Sequence, residues 1–216
     1  MDHEIQFDLH VPDARELRFL EQIVVDDVDL VARRRGKERP MVTIREGEAA
    51  DLAFVEQMLY AAFFWNGEPE RPSLAEMRQR PEFASLLAGW GRPGDIALLA
   101  EHDGVGAGAV WCRTWTQAEH SYGFIDEQTP ELGLGVLERW RGRGFGRALL
   151  RALVDTARLR GYPALSLSVA PENPARRLYE SEGFVILGVR RRYYRPSGAD
   201  AYTMARPSGA WERAQR

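Results

Sequence analysis

A short glycine-rich segment between an alternating strand pattern and an amphipathic helix pattern constrains this chain more than any other feature. The segment consists of Arg141, Gly142, Arg143, Gly144, Phe145 and Gly146, and Arg147 follows it. Glycine allows a tight backbone turn and lets main-chain N–H groups approach an anion closely. The helix that follows adds unpaired N–H groups and the positive end of its dipole. The segment therefore predicts a phosphate or pyrophosphate site with the three arginines as charge partners, and a plain tight turn is the alternative interpretation.

The spacing within this segment disfavours two well-known kinds of phosphate-binding loop. It has no Gly-Lys-Ser or Gly-Lys-Thr ending, which a nucleoside-triphosphate loop requires. Its glycines do not match the dinucleotide fingerprint, and the next predicted strand, residues 165–169, continues into Ala170 and Pro171 instead of an acidic residue. The sequence therefore points to neither a nucleoside triphosphatase nor a Rossmann dinucleotide enzyme.

Strand and helix patterns succeed one another from residue 41 onward. The dipeptide Asp103-Gly104 between two apolar stretches, residues 96–101 and 105–114, predicts a β-hairpin. A capping box at residues 73–76 predicts the start of a short helix. Asp51 is expected to cap an earlier helix, which begins directly after it. Because this hairpin is combined with later strand–helix–strand units, the sequence predicts an α+β fold with a mixed sheet.

The chain is long enough for one domain with an extension, since it has 216 residues. Residues 1–40 differ from the rest and end in a charged run closed by Pro40, which predicts an N-terminal extension or linker. An alternative is that this segment lies upstream of a natural start at Met41. Residues 41–207 are expected to form the domain, and residues 208–216 a C-terminal tail.

The composition indicates which kinds of partner and which cellular compartment to expect. The formal net charge of −3 and the pI near 5.9 disfavour a nucleic-acid partner. The single cysteine, Cys112, excludes a disulfide framework within the chain and favours a reducing compartment. No apolar run reaches bilayer-spanning length, and the acidic N-terminus lacks a signal-peptide pattern. The sequence therefore predicts a cytoplasmic protein without a membrane partner.

Three side chains of types that often carry chemistry are not expected to do so here. His102 and His120 have no second His or Cys at metal-ligand spacing, so both are expected at the surface and no metal site is predicted. Cys112 has no His at motif spacing, so a covalent cysteine mechanism is disfavoured.

The sequence resembles the GNAT superfamily of N-acetyltransferases at two separate motifs. Arg141, two residues, Gly144, one residue and Gly146 are similar to the acyl-CoA pyrophosphate motif of that family. Residues 173–184 are similar to the motif on its later strand–helix–strand unit. The likeness covers most of residues 41–206. It implies a GNAT-like central mixed, mostly antiparallel sheet flanked by helices, in which two splayed parallel strands form the acyl-CoA cleft.

The resemblance also implies which residues would bind acetyl-CoA. Leu134, Gly135 and Val136 would offer backbone groups to the pantetheine arm, and an N–H near Val136 would stabilise the oxyanion. The glycines of this strand would clear one of its faces and permit a bulge, or merely relieve crowding. Residues 142–147 would hold the pyrophosphate. Asn173 would hydrogen-bond the pantetheine arm while also starting a helix.

Two residues are implied as proton-transfer groups. Tyr179 would be the general acid that protonates the departing thiolate, and its alternative is packing in the core. Glu131 would be the general base, acting directly or through water, and its alternative is a solvated charge at a strand end. Asp126 and Glu127 are rival bases, and a water chain without a single base stays open.

Together these features predict an acyl-CoA-dependent N-acyltransferase that moves an acetyl group from acetyl-CoA to a primary amine by direct attack in a ternary complex, without metal. A non-catalytic acetyl-CoA sensor is the alternative, and an RNA-associated module would rest only on residues 190–194. The acceptor, a small-molecule or peptide amine, is not specified, and a homodimer stays open. Aromatic residues are candidates for its pocket, with core packing as the alternative: Phe63, Phe64, Trp65, Trp115 and Tyr122.

Overall fold

The structure is a computed structural model that describes residues 42–67, 70–194 and 199–207. Seven strands and five α-helices lie in these ranges. The strands are β1 (Val42–Glu46), β2 (Ile96–His102), β3 (Val105–Arg113), β4 (Glu131–Val136), β5 (Ala164–Val169), β6 (Val185–Tyr194) and β7 (Ala199–Pro207). The helices are α1 (Leu52–Phe63), α2 (Leu74–Arg78), α3 (Pro81–Leu87), α4 (Phe145–Leu159) and α5 (Ala175–Ser181). The predicted extension, residues 1–40, and the predicted tail, residues 208–216, lie outside the described residues.

The strands form one mixed sheet in the order β1-β2-β3-β4-β5-β7-β6. Every neighbouring pair is antiparallel except β4 and β5, which are parallel. The predicted hairpin joins β2 to β3, where Asp103 (φ 51°) and Gly104 (φ 75°) both adopt the left-handed conformation that suits a tight two-residue turn. The predicted α+β fold with a mixed, mostly antiparallel sheet is therefore confirmed.

The helices cover both faces of the sheet because side chains along a strand alternate between its faces. Val110 and Leu132 contribute to a core with Leu149 and Leu153 of α4, and α5 packs on the same side. Trp111 contributes to a second core with Met58 of α1, where α2 and α3 also pack. We call these two sides the α4 face and the α1 face. None of the helices in the described ranges is long and apolar enough to span a bilayer.

The local signals at helix starts were partly correct. The capping box at residues 73–76 is present, with the Glu76 amide on Ser73 Oγ and the Ser73 amide on Glu76 Oε2. Asp51, by contrast, makes no capping hydrogen bond to α1. Its carboxylate instead accepts from the Glu48 amide and from Arg45, which holds the pKa of Asp51 at about 2. The predicted cap was wrong because Asp51 ends a 3₁₀ turn, Ala49–Asp51, that precedes α1, and its carboxylate binds back to the Glu48 amide at the start of that turn.

Candidate active site

The two parallel strands meet at one point and then part. Glu131 of β4 is aligned with Ser166 of β5, and the Ser166 amide donates to the Pro130 carbonyl over 2.9 Å. Beyond this position the described ladders pair β4 only with β3 and β5 only with β7. A gap therefore opens between the carboxyl-terminal parts of the two strands, as the splayed-strand prediction requires. We call it the β4–β5 gap.

Strand β4 turns the backbone of alternate residues toward this gap. At one edge the Pro130 carbonyl accepts from β5, and at the other the Leu137 amide donates to the Ala107 carbonyl of β3 over 3.0 Å. Because backbone groups alternate between the edges of a strand, Leu134 and Val136 direct theirs toward the gap. Gly135 directs its N–H and C=O toward β3 instead. Of the three residues predicted to offer backbone groups, two are therefore oriented for that role.

The glycines of β4 make room for neighbouring elements on the α1 face. A Cβ at Gly133 would lie 2.4 Å from Cζ2 of Trp111, and one at Gly135 would lie 2.3 Å from the carbonyl oxygen of Met58. The register with β3 is continuous over the whole of β4, so the expected bulge is not present. The glycines therefore relieve crowding against a tryptophan ring and a helix backbone.

The predicted anion site lies at the start of α4. Gly142 (φ 70°) and Gly144 (φ 96°) adopt left-handed conformations, and the helix begins directly after Gly144. Among the described side chains none caps this helix end, so the amides of its first turn have no cap. A Cβ at Gly146 would lie 3.4 Å from Leu178 of α5 and 3.7 Å from Val136. The helix start is therefore next to the end of β4, beside the gap.

The side chain of Arg141 is engaged within the protein. Its Nε donates to the Val136 carbonyl over 3.1 Å, and its two terminal nitrogens donate to the carbonyls of Trp65 and Ala61 over 3.0 and 3.3 Å. The guanidinium therefore ties the end of β4 to the end of α1. In this arrangement Arg141 supports the backbone next to the predicted anion site.

Arg147 is also engaged within the protein. Its guanidinium donates to Oε1 of Glu182, and Arg151 donates to Oε2 of the same buried carboxylate over 2.9 Å. These ion pairs join α4 to the end of α5. Arg143 is exposed, with its guanidinium 5.0 Å from the centroid of the Trp140 ring. Among the three predicted charge partners, Arg143 is thus the one whose described contacts include no carbonyl or carboxylate.

Two of the predicted site residues lie at α5, on the α4 face. Asn173 precedes the helix, and its Oδ1 accepts from the Ala175 amide over 2.9 Å, which stabilises the helix start. Tyr179 is buried, and its ring centroid is 5.9 Å from that of Phe184. The ring therefore packs in the core, and this packing fixes the position of the phenol.

Glu131 is the first residue of β4, and its carboxyl lies on the α1 face. It is aligned with Arg113, whose guanidinium binds carbonyls at the end of α3 on that face. Glu131 Oε1 accepts from Ser121 Oγ over 3.0 Å and from the Gly123 amide over 2.8 Å. Oε2 has no solvent contact and no hydrogen-bond partner among the described residues. Burial raises the pKa of Glu131 to about 7, so this carboxyl is not a solvated strand-end charge.

The rival carboxylates bind the loop between β3 and β4. Asp126 Oδ1 accepts from the amides of Gln128 and Thr129, and Glu127 Oε1 accepts from the Gln117 amide. Both carboxylates therefore stabilise the backbone of this loop. Ser121 and Gly123, which sequence analysis missed, are the loop residues that contact Glu131. They lie in a stretch without strand or helix periodicity, so only the folded chain reveals their contact.

The predicted pocket aromatics do not form one group. Phe63 packs edge-on against Phe83 with ring centroids 5.5 Å apart, and Phe64 packs against Tyr60 at 4.9 Å. Both are half-buried and pack against the core of the α1 face. Trp115 is contacted by the guanidinium groups of two arginines, Arg92 and Arg113, at 5.7 and 5.6 Å from its ring centroid.

The remaining candidate side chains differ in burial. Burial raises the pKa of the Cys112 thiol to about 12, which suits a structural residue. His102 is not a surface residue as predicted, because its ring stacks on Trp140 at 4.4 Å and is only 18% exposed. His120 is exposed and stacks on Phe124 at 4.8 Å. Among the described residues no group of three His, Cys, Asp or Glu side chains is placed to hold a metal.

Comparison with known proteins identifies the family. The Acetyltransferase (GNAT) family matches residues 53–184, which is more than half of the chain. The chain belongs to this family, so the resemblance at the two motifs is confirmed.

Individual relatives agree with this assignment. The chain is 53% identical over 77 residues to the N-alpha-acetyltransferase RimI of Mycobacterium tuberculosis, a match that covers 35% of this chain and 47% of the relative. The crystal structure of the ribosomal-protein-S18-alanine N-acetyltransferase from Escherichia coli is 28% identical, with a TM-score of 0.55 over 77% of this chain and 94% of that one. A Salmonella typhimurium protein solved with its cofactor acetyl-CoA is 27% identical, with a TM-score of 0.56 over 77% of this chain and 94% of that one. The matched segments span about half or less of the first curated relatives.

Proposed function

We propose that this chain transfers an acetyl group from acetyl-CoA to a primary amine by direct attack in a ternary complex. The observation that carries the proposal is the β4–β5 gap, which has uncapped helix amides at one end and proton-transfer candidates on either face. The cofactor would lie on the α4 face. The acceptor would approach from the α1 face, so that the two substrates meet in the gap.

Acetyl-CoA would be held mainly by the main chain. The amides of residues 142–147 would bind the diphosphate, because a helix N-terminus favours an anion. The gap-facing backbone groups of Leu134 and the N–H of Val136, whose carbonyl accepts from Arg141, would pair with the pantetheine arm as an added strand does. The side-chain NH₂ of Asn173 would donate to the same arm, since its Oδ1 is used by the Ala175 amide. Arg143 supplies positive charge nearby.

The reaction requires a neutral amine, an oxyanion donor and a proton for the thiolate. The acceptor nitrogen attacks the thioester carbon, and Glu131 removes one proton from that nitrogen. The C–S bond then breaks, and Tyr179 gives its phenolic proton to the sulfur. The N–H of Leu134 suits the oxyanion better than that of Val136, since it is about 10 Å from Glu131 along the strand instead of about 16 Å. One or two waters would complete the path to Glu131.

A peptide amino terminus is the acceptor we propose to test first, because the Escherichia coli relative is named for a ribosomal-protein alanine. The test measures CoA release from acetyl-CoA with an alanine-initiated peptide, an acetyl-blocked control peptide, a lysine side-chain peptide, spermidine and glucosamine. We expect the alanine-initiated peptide to exceed every other amine by at least about tenfold in kcat/KM. Binding of acetyl-CoA without release for any amine would support the non-catalytic sensor instead.

A further inference from the structure

We propose that Ser121 and Gly123 are positioning residues for Glu131: they hold one oxygen of its carboxyl and thereby direct the other oxygen toward the proton of the acceptor amine. The inference rests on the proposed function, since it concerns the base of that reaction. It adds a loop segment, residues 121–123, to a site otherwise built from β4, β5, α4 and α5.

The hydrogen bonds distinguish the two carboxyl oxygens. Ser121 Oγ and the Gly123 amide both donate to Oε1, over 3.0 and 2.8 Å. Two donors on one oxygen restrict rotation of the carboxyl group about its last bond. Oε2 is closed to solvent and has no hydrogen-bond partner among the described residues. A buried acceptor without a partner is costly, and a bound amine or one bridging water would satisfy it.

Gly123 holds the loop where the β4–β5 gap begins. A Cβ at this position would lie 2.6 Å from the Leu167 carbonyl carbon and 2.8 Å from the Ser168 amide nitrogen, both in β5. It would also lie 3.0 Å from Cδ of Glu131. Only a residue without a side chain brings its amide this close to both strands. The loop is therefore fitted against the carboxyl and the neighbouring strand at once.

Other contacts keep this loop in place. Phe124 is buried, and its carbonyl accepts from Arg190 of β6 over 3.3 Å. Asp126 accepts from the Thr129 amide over 2.8 Å, which closes the turn that leads into β4. The fold thus holds the chain directly after Gly123, so the positions of Ser121 and Gly123 do not depend on Glu131 alone.

The charges around Glu131 determine how its titration responds to a mutation. Burial raises its pKa, whereas the Gly123 amide, the Ser121 hydroxyl and the charge of Arg190 lower it. Arg113, aligned with Glu131 on β3, is neutralised by a 2.6 Å ion pair with Asp95. The loop carries further titratable side chains: Glu119, His120, Tyr122, Asp126 and Glu127. Removal of the Ser121 hydroxyl removes one lowering contribution, so the pKa of Glu131 rises.

The test is the pH profile of kcat/KM for Ser121→Ala between pH 6 and 9.5. A base must be ionised to act. A higher pKa of Glu131 therefore moves the acidic limb of the profile to higher pH, by about 0.5 to 1 pH unit. We expect kcat/KM to fall about three- to tenfold at pH 6 and to stay within about twofold at pH 9.5. The amine of the acceptor titrates equally in both proteins, so the difference between profiles reports the enzyme.

Two matched variants act as controls. Ser121→Thr retains the hydroxyl and is expected to restore the original limb. Ser85→Ala removes an exposed hydroxyl from α3 and is expected to leave the profile unchanged. A profile for Ser121→Ala that superimposes on that of the parent protein would overturn the proposal, and so would an equal loss at every pH.

A direct titration separates this inference from the proposed function. The ¹³C signal of the Glu131 carboxyl, assigned with Glu131→Gln, can be followed against pH in the full chain with and without the Ser121 hydroxyl. A raised midpoint in Ser121→Ala supports the positioning role even if no amine is acetylated, which would contradict only the proposed function. An unchanged midpoint overturns the positioning role whatever the activity.

Discussion

Replacement of Tyr179 by phenylalanine is expected to lower kcat about 100-fold while the Kd for acetyl-CoA stays within about twofold. The reason is that general acid catalysis needs the phenolic O–H, whereas binding relies on main-chain groups of β4 and α4. Phenylalanine keeps the aromatic ring, which packs 5.9 Å from the Phe184 ring, so the core of α5 is preserved. Steady-state kinetics with calorimetry of acetyl-CoA binding measures both quantities on one preparation.

Tyr162→Phe is the matched control for this substitution. Its hydroxyl donates to the Gly94 carbonyl over 2.8 Å, so the control also removes one tyrosine hydrogen bond. It lies just beyond the carboxyl-terminal end of α4, the end opposite to the predicted anion site, and activity should remain normal. Full turnover in Tyr179→Phe would remove the phenol from the mechanism and leave Tyr179 as a core residue.

Replacement of Gly144 by valine is expected to weaken acetyl-CoA binding at least about 100-fold. Gly144 adopts φ 96°, a conformation that costs a β-branched residue about 1–3 kcal/mol. The backbone before α4 must therefore shift, and the first-turn amides lose their common direction toward the diphosphate. Each hydrogen bond to a charged group contributes about 1.5–3 kcal/mol, so the loss of one or two accounts for the expected change in Kd.

The control for backbone strain is Gly161→Val at the opposite end of the same helix. Gly161 also has a positive φ, 80°, and a Cβ there would meet no atom within 4 Å. Valine at position 161 has a similar conformational cost, but this position lies at the carboxyl-terminal end of α4, which does not favour anions. Calorimetry should show normal binding in this variant. Similar losses in both variants would mean that stability, and not the helix start, explains the effect.

The sequence predictions were correct where residues close together in the chain determine the structure. The turn at Asp103-Gly104 and the glycine-rich entry to α4 depend on backbone conformations that few residues other than glycine adopt, and both are found. The Leu149–Leu153 stripe of α4 follows from helical periodicity, and its residues are buried against the sheet. Such features need no knowledge of distant contacts.

The surroundings of several candidate site residues depend on contacts that no local sequence pattern indicates. Arg141 donates to Trp65 and Ala61, 76 and 80 residues away, and no nearby pattern indicates this use. Gly135 faces Met58 of a distant helix, so its role in packing was visible only once α1 was placed. The burial of Glu131 likewise depends on a loop without periodicity. The residue types made these positions candidates for the site, but only the folded structure shows which groups they contact.

The central claim is that main-chain amides at the start of α4 bind the diphosphate of acetyl-CoA, and isothermal titration calorimetry of the full chain tests it most directly. The two titrants are acetyl-CoA and S-acetylpantetheine, which shares the thioester and the pantetheine arm but has no diphosphate or nucleotide. We expect acetyl-CoA to bind with a Kd on the order of 10 μM and S-acetylpantetheine at least about 100-fold more weakly. Equal affinity for the two, or no binding of acetyl-CoA, would contradict the claim.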